Sequence, residues 1–136
     1  MNSILEEYFS QELKLLNCSQ EAKSYIIGIF VDYKSNKNDL STYSLTILYN
    51  NAKQNQDFKT FQNIGDWIFY LDNYHKQYLN NASREYYETL ARLSYYSCYK
   101  LINKQWKLFE ELADNYQNII SQTNKLLNVS HSRLKS

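Results

Sequence analysis

Asp66, Asp72-x-x-His75 and Glu85-x-x-Glu88 are the residues whose types and spacing come nearest to chemistry in this 136-residue chain. Carboxylates and a histidine three positions apart lie on one helix face, the arrangement that metal-binding bundles use. Such a site needs a Glu-x-x-His on each of two helices and a further Glu from each of two more. The chain has two histidines, His75 and His131, and the second falls near the C-terminus. The ligand count is short, and solvated helix faces account for these residues better than a metal does. The expectation is no metal and no cofactor.

Other catalytic arrangements fare no better. His75 beside aromatic residues could act as a haem ligand or an acid/base, but a lone histidine near a helix end is ordinarily a surface residue stabilised by the dipole. Cys98 and His75 could form a nucleophile and base, yet Cys98 falls on the apolar face of its predicted helix, where thiols are inert. Gly28 and Gly65, the two glycines, are too far apart for a phosphate loop. No residue pattern points to an enzyme.

Binding surfaces are the alternative. Lys100, Lys104 and Lys107 lie within two turns of one another, beside Tyr99 and Trp106 and two turns after Arg92. Basic residues interleaved with aromatics can hold single-stranded nucleic acid. Against that stands a net charge of +1, from 15 basic and 14 acidic residues, which is poor for phosphate neutralisation. Fourteen tyrosines form the second signal. Tyr86, Tyr87, Tyr95, Tyr96 and Tyr99 spread around more than one face of a single predicted helix. Tyrosine is enriched at interfaces, so at least two of Tyr95, Tyr96 and Tyr99 are expected to stay exposed and, with Trp106, to meet a protein partner or a second copy. A helix packed on two sides within one domain is the competing account, and AT-rich codon usage would explain the tyrosine content itself.

The elements that would carry these residues are helices. Proline is absent and only two glycines occur, which disfavours β-rich and loop-rich folds. Apolar spacing predicts helices over about 2–16, 19–33, 40–53, 58–73, 83–103 and on from there to 128. Ser19 and Asp57 are expected N-caps, and Ser83 another. In the last stretch Trp106, Phe109, Ala113, Tyr116, Ile120, Thr123 and Leu127 recur at spacings of three and four, widened by Leu108, Leu112, Ile119 and Leu126. Ala91, Ser94, Ser97 and Cys98 form a small-residue face that would let another helix approach closely, and Gly28 is expected to mark a close crossing. The reading is an all-α single domain over 1–128, a bundle of five or six helices with the second, fifth and sixth at its centre. Residues 129–136 lack periodicity and are expected to be a disordered tail.

Cys18 and Cys98 make no disulfide framework, the acidic N-terminus is no signal peptide, and the longest apolar run, 25–31, is far short of a membrane span. These point to a soluble cytoplasmic protein. The segments IGDWIFYLDNY, SREYYETLARLSYYSCYKLI and LFEELADNYQNIISQTNKLL resemble a family of uncharacterised bacterial helical proteins, through Gly65-Asp66, Tyr86-Tyr87 and Phe109 to Ala113. That resemblance implies a bacterial, intracellular setting and no activity. The leading functional expectation is a non-enzymatic helical module for protein–protein interaction or assembly. The alternatives are a small-ligand binder built on the aromatic block Trp67, Phe69, Tyr70 and Trp106, or a nucleic-acid accessory protein.

Overall fold

In a computed structural model the chain is all-helical among the described residues, with α1 Ser3–Glu12, α2 Gln20–Ser35, α3 Leu45–Asn55, α4 Phe58–Tyr74, α5 Asn81–Leu101, α6 Lys107–Asp114 and α7 Tyr116–Lys135. Backbone is described for 3–35, 44–74, 79 and 81–135, and side chains for the same stretches except 81–82 and 129–135. The predicted start of the third helix at 40–43, His75 and His131 lie outside these described side chains.

Local chemistry accounts for most helix ends. The Ser19 hydroxyl accepts the Ala22 N–H at 3.0 Å, and Asp57 accepts the Thr60 N–H at 3.2 Å, so both expected caps are in place. Ser44 caps α3 through the Ile47 N–H. Gln56 ends α3 in the left-handed region, φ 51°, returning its N–H to the Ala52 carbonyl. Ser83 is not a cap, because α5 begins at Asn81. After α5 the chain turns through Asn103 and Lys104, both with positive φ, near 60°. The Lys104 N–H closes this turn on the Tyr99 carbonyl at 2.9 Å.

Among the described residues seven helices replace the expected five or six, because the last predicted helix breaks at Asn115. Its apolar register survives the break. Phe109, Leu112, Ala113, Tyr116, Ile120, Thr123 and Leu127 are all buried. Trp106 leaves the seam: it is the N-cap residue of α6 and 41% exposed. The stretch assigned to a disordered tail is helical through Lys135.

The centre of the bundle is α4. Every residue from Ile64 to Asp72 is buried, since α2, α3, α5 and α7 all pack against it. The second, fifth and sixth predicted helices surround this core element. Periodicity understates such a helix, because one buried on all sides has no polar face to create a period. The small face of α5, with Ala91, Ser94 and Cys98 fully buried, packs on α4. The close crossing is at Gly65 and not at Gly28. A Cβ on Gly65 would stand 2.7 Å from the Tyr95 ring, whereas one on Gly28 would meet nothing within 4 Å.

Candidate functional site

Two aspartates sit inside the bundle on α4, and their surroundings differ. Asp66 is 6% exposed. It accepts the Tyr25 hydroxyl from α2, at 2.8 and 3.0 Å to its two oxygens, and the Tyr95 hydroxyl from α5 at 2.9 Å. Gln62 donates in turn to the Tyr25 hydroxyl at 2.9 Å. Burial, reinforced by the Asp66 charge, pushes both phenols far above the ordinary tyrosine range. They stay neutral and serve as hydrogen-bond donors. Asp66 also borders an open groove of about 220 Å³ between α2 and α4, with Tyr25, Asp32, Tyr33 and Lys59 around it.

Asp72 is fully buried. Arg84 of α5 faces it at 2.9 Å, and the Tyr116 hydroxyl approaches from α7 at 3.5 Å. Glu88 lies 3.5 Å from the Arg84 Nε, next to Asp72. Burial first, then the hydrogen bond and negative charge of Asp72, push the Glu88 carboxyl up to about 7, while Arg84 pulls it back. Glu88 therefore holds its proton more tightly than an ordinary carboxyl does. Glu88 and Arg84 border a groove of about 410 Å³ whose walls also include Gln117, Ser121 and Asn124, with Asp72 buried behind them.

The solvated faces assigned to Asp66 and Asp72 are thus a correction: both are core residues, held by hydroxyls and a guanidinium. Asp72 and Glu88 come together; Asp66 and the exposed Glu85 join neither each other nor that pair. Among the described residues no group of three or more histidine, cysteine or acidic side chains is placed to hold a metal ion. Cys98 is buried, with its thiol 3.7 Å from the Phe58 carbonyl and its pKa raised by burial, which suits an inert core thiol.

The raised Glu88 carboxyl predicts a pH effect with a definite sign. The folded state binds this proton more tightly than the unfolded chain, whose carboxyl titrates near 4.5. Its contribution to stability is therefore lost as pH rises from about 4.5 to about 7. Glu88→Gln removes the titration. Urea unfolding of both proteins across this interval should show a downward slope in the parent and a flatter one in the variant. Parallel slopes would exclude Glu88 as its source.

The tyrosines of α5 divide by face. Tyr95 is fully buried over Gly65, and Tyr99 is 4% exposed. The expectation that at least two of Tyr95, Tyr96 and Tyr99 remain exposed therefore fails; Tyr96, at 38%, is alone. The physical reason is that Tyr95 and Tyr99, four residues and about 40° apart, share one side of α5 that α4 and α6 cover between them, as the competing account has it, while Tyr96, about 100° from Tyr95, turns outward. What stays open is a different stripe. Tyr86, Thr89, Leu93, Tyr96 and Lys100 follow one another at alternating spacings of three and four, and all are exposed. Tyr86 and Leu93 are each 46% exposed. Beside them an open groove of about 270 Å³ runs between α5 and α6, lined by Thr89, Arg92, Leu93, Tyr96, Ala113 and Asp114. Sequence reasoning named Tyr86 among the tyrosines of this helix without placing it in the interface and missed Leu93, although their seven-residue spacing was a usable signal.

The basic residues collect at the C-terminal end of this stripe. The Lys100 ammonium lies 5.2 Å from the centre of the Tyr96 ring, and Lys107 donates to the Tyr99 hydroxyl at 3.2 Å. Lys104 stands exposed in the intervening turn. Arg92 is spent locally, its Nε donating to the Ala113 carbonyl at 3.2 Å. Trp106 packs edge-on against Phe109, ring centres 5.2 Å apart.

The aromatic block is packed on its own rings. Trp67 and Tyr70 are buried and stack on each other, Tyr33 stacks on Tyr70 and tilts against Trp67, Phe69 meets Tyr116 edge-on, and Trp106 lies apart from them on Phe109. None of the three grooves described above is lined by Trp67, Phe69, Tyr70 or Trp106. No described helix is long and apolar enough to cross a membrane.

Compared with known proteins, the chain matches no family model, no curated sequence and no solved structure. The functional reading rests on the arrangement of its own side chains.

Proposed function

We propose that the protein is a non-enzymatic helical interaction module whose docking face is the outer stripe of α5. One observation carries the reading: large apolar side chains are left exposed at helix-packing spacing, Tyr86, Leu93 and Tyr96, along a groove that α6 flanks. Scattered exposed apolar residues are ordinary, and Ile4, Leu15 and Ile47 are of that kind. A stripe with the a/d spacing is what an amphipathic helix packs into. The buried aspartates fit this role, because tyrosine hydroxyls and the Arg84 guanidinium hold them as braces between helices. The small-ligand and nucleic-acid readings draw less support, since the aromatic block fills its own space and Arg92, Lys100 and Lys107 are each engaged with a neighbouring group. The bacterial, cytoplasmic setting belongs to this proposal.

A photoreactive phenylalanine analogue at position 96, expressed in bacterial cells, tests the reading. Irradiation should give a discrete protein adduct, absent with the analogue at the exposed position 15 and lost on Leu93→Asp. An adduct pattern identical at positions 96 and 15, or no adduct from 96, would refute a docking face on α5.

A further inference from the structure

The charges around the α5 stripe are arranged so that it complements itself. At the N-terminal end stands Glu85, exposed, while Asp114 of α6 borders the groove at the middle of the stripe, with Arg92 and Leu93. At the C-terminal end stand Lys100, Lys104 and Lys107, also exposed. Leu93 is the midpoint of the run from Tyr86 to Lys100. Rotating one molecule by 180° about an axis through Leu93 brings the acidic end of one stripe onto the basic end of the other. Tyr86 then faces Lys100, a cation–aromatic pairing that Lys100 already makes with Tyr96 inside one chain. Arg92 lies beside the axis, its Nε bonded to the Ala113 carbonyl and Asp114 at hand in the same groove.

Building on the docking reading, we infer that the partner of this face is a second copy of the same chain, bound through antiparallel α5 helices in an isologous dimer. Two further features favour a self-partner. The net charge of +1 leaves two copies with little mutual repulsion. A C2 pairing also satisfies both ends of the stripe at once, which a uniformly charged partner helix would not do. The stripe is about 21 Å long from Tyr86 to Lys100 at the helical rise per residue. Two such faces bury roughly 800–1,000 Å² in total, at the low end of specific interfaces, so the dimer is a weak and exchanging one. Its dissociation constant should fall at about 10–100 µM and rise with salt.

Sedimentation velocity on the full chain, from low to several-hundred-micromolar concentration, tests this pairing. The parent protein should pass from monomer to dimer. Leu93→Asp, which sets two carboxylates face to face on the axis, should abolish the transition. Lys100→Glu and Glu85→Lys should each weaken it by at least about tenfold, through like charges brought together at both ends. The double variant Glu85→Lys/Lys100→Glu restores opposite charges at positions 85 and 100 in both copies and should bind more tightly than either single variant. Leu15→Asp, exposed and far from α5 in sequence, should leave the transition unchanged, and circular dichroism should show every variant fully helical. A parent protein that stays monomeric throughout would overturn the self-pairing. So would a dimer indifferent to Leu93→Asp, or a double variant no better than either single one. The docking reading is separable: a monomeric parent that still gives a position-96 adduct with a different protein loses the self-pairing and keeps the docking face.

Discussion

Phe109→Ala should cost roughly 3–5 kcal/mol of unfolding free energy, the range for truncating a fully buried phenylalanine. Phe109 has no exposed surface, and four aromatic rings close around it. Tyr25 of α2 and Phe58 of α4 meet it edge-on, with ring centres at 5.7 and 5.5 Å, Tyr95 of α5 lies at 6.2 Å, and Trp106 sits at 5.2 Å. Those rings belong to separate helices that cannot all move inward to fill the void. Trp106→Ala makes the comparison: a larger side chain is removed, but from a position 41% exposed on the rim of the same cluster. Urea unfolding should show a markedly smaller loss for Trp106→Ala. A Phe109→Ala loss below about 1 kcal/mol would place the residue outside the core and break the assigned register.

Gly65→Ala should destabilise by about 1–3 kcal/mol, the usual range for overpacking. Alanine is the better helix former, so at an unobstructed position the same change would stabilise by roughly 0.5–1 kcal/mol. At Gly65 the new methyl carbon would stand 2.7 Å from the Tyr95 ring, and that ring is fully buried with its hydroxyl committed to Asp66. Tyr95 must shift, and a buried charge-assisted hydrogen bond lengthens or breaks. Gly28→Ala is the internal control, because nothing lies within 4 Å of its Cβ position. The two substitutions are chemically identical and both sit inside helices, so opposite signs in thermal unfolding would isolate the Tyr95 crossing as the cause. Equal stabilisation by both would show that Tyr95 yields without cost.

The candidate interface was partly legible before the fold. The exposure of Tyr96 agrees with expectation, whereas Trp106, expected both in the apolar seam and at the surface patch, is found only at the surface; Lys100, Lys104 and Lys107 stand exposed at the end of α5. Tyr95 and Tyr99 went the other way because α6 folds back along α5 and covers a second face of it. Leu93 went unremarked, since leucine in a helical stretch reads as core until every neighbour is known. The two buried aspartates left a visible signal. Each interrupts the run from Ile64 to Leu71, or follows it directly, in a helix that is apolar nearly all round. A charge in such surroundings needs a built partner. Which partners answer, Tyr25 and Tyr95 for one and Arg84 for the other, depends on residues 12 to 41 positions away.

By itself the sequence determined the helical class, several helix boundaries and the apolar register of α6 and α7. These are local properties: the absence of proline, a capping serine or aspartate, and a spacing of three and four act within a few residues of one another. The tertiary structure decided that α4 is the core helix, that Gly65 and not Gly28 is the close crossing, and that Tyr86, Leu93 and Tyr96 face outward while Tyr95 and Tyr99 do not. Periodicity reports how one helix is amphipathic. Burial depends on how many other helices surround it and from which sides, and that is set by packing between residues far apart in the chain.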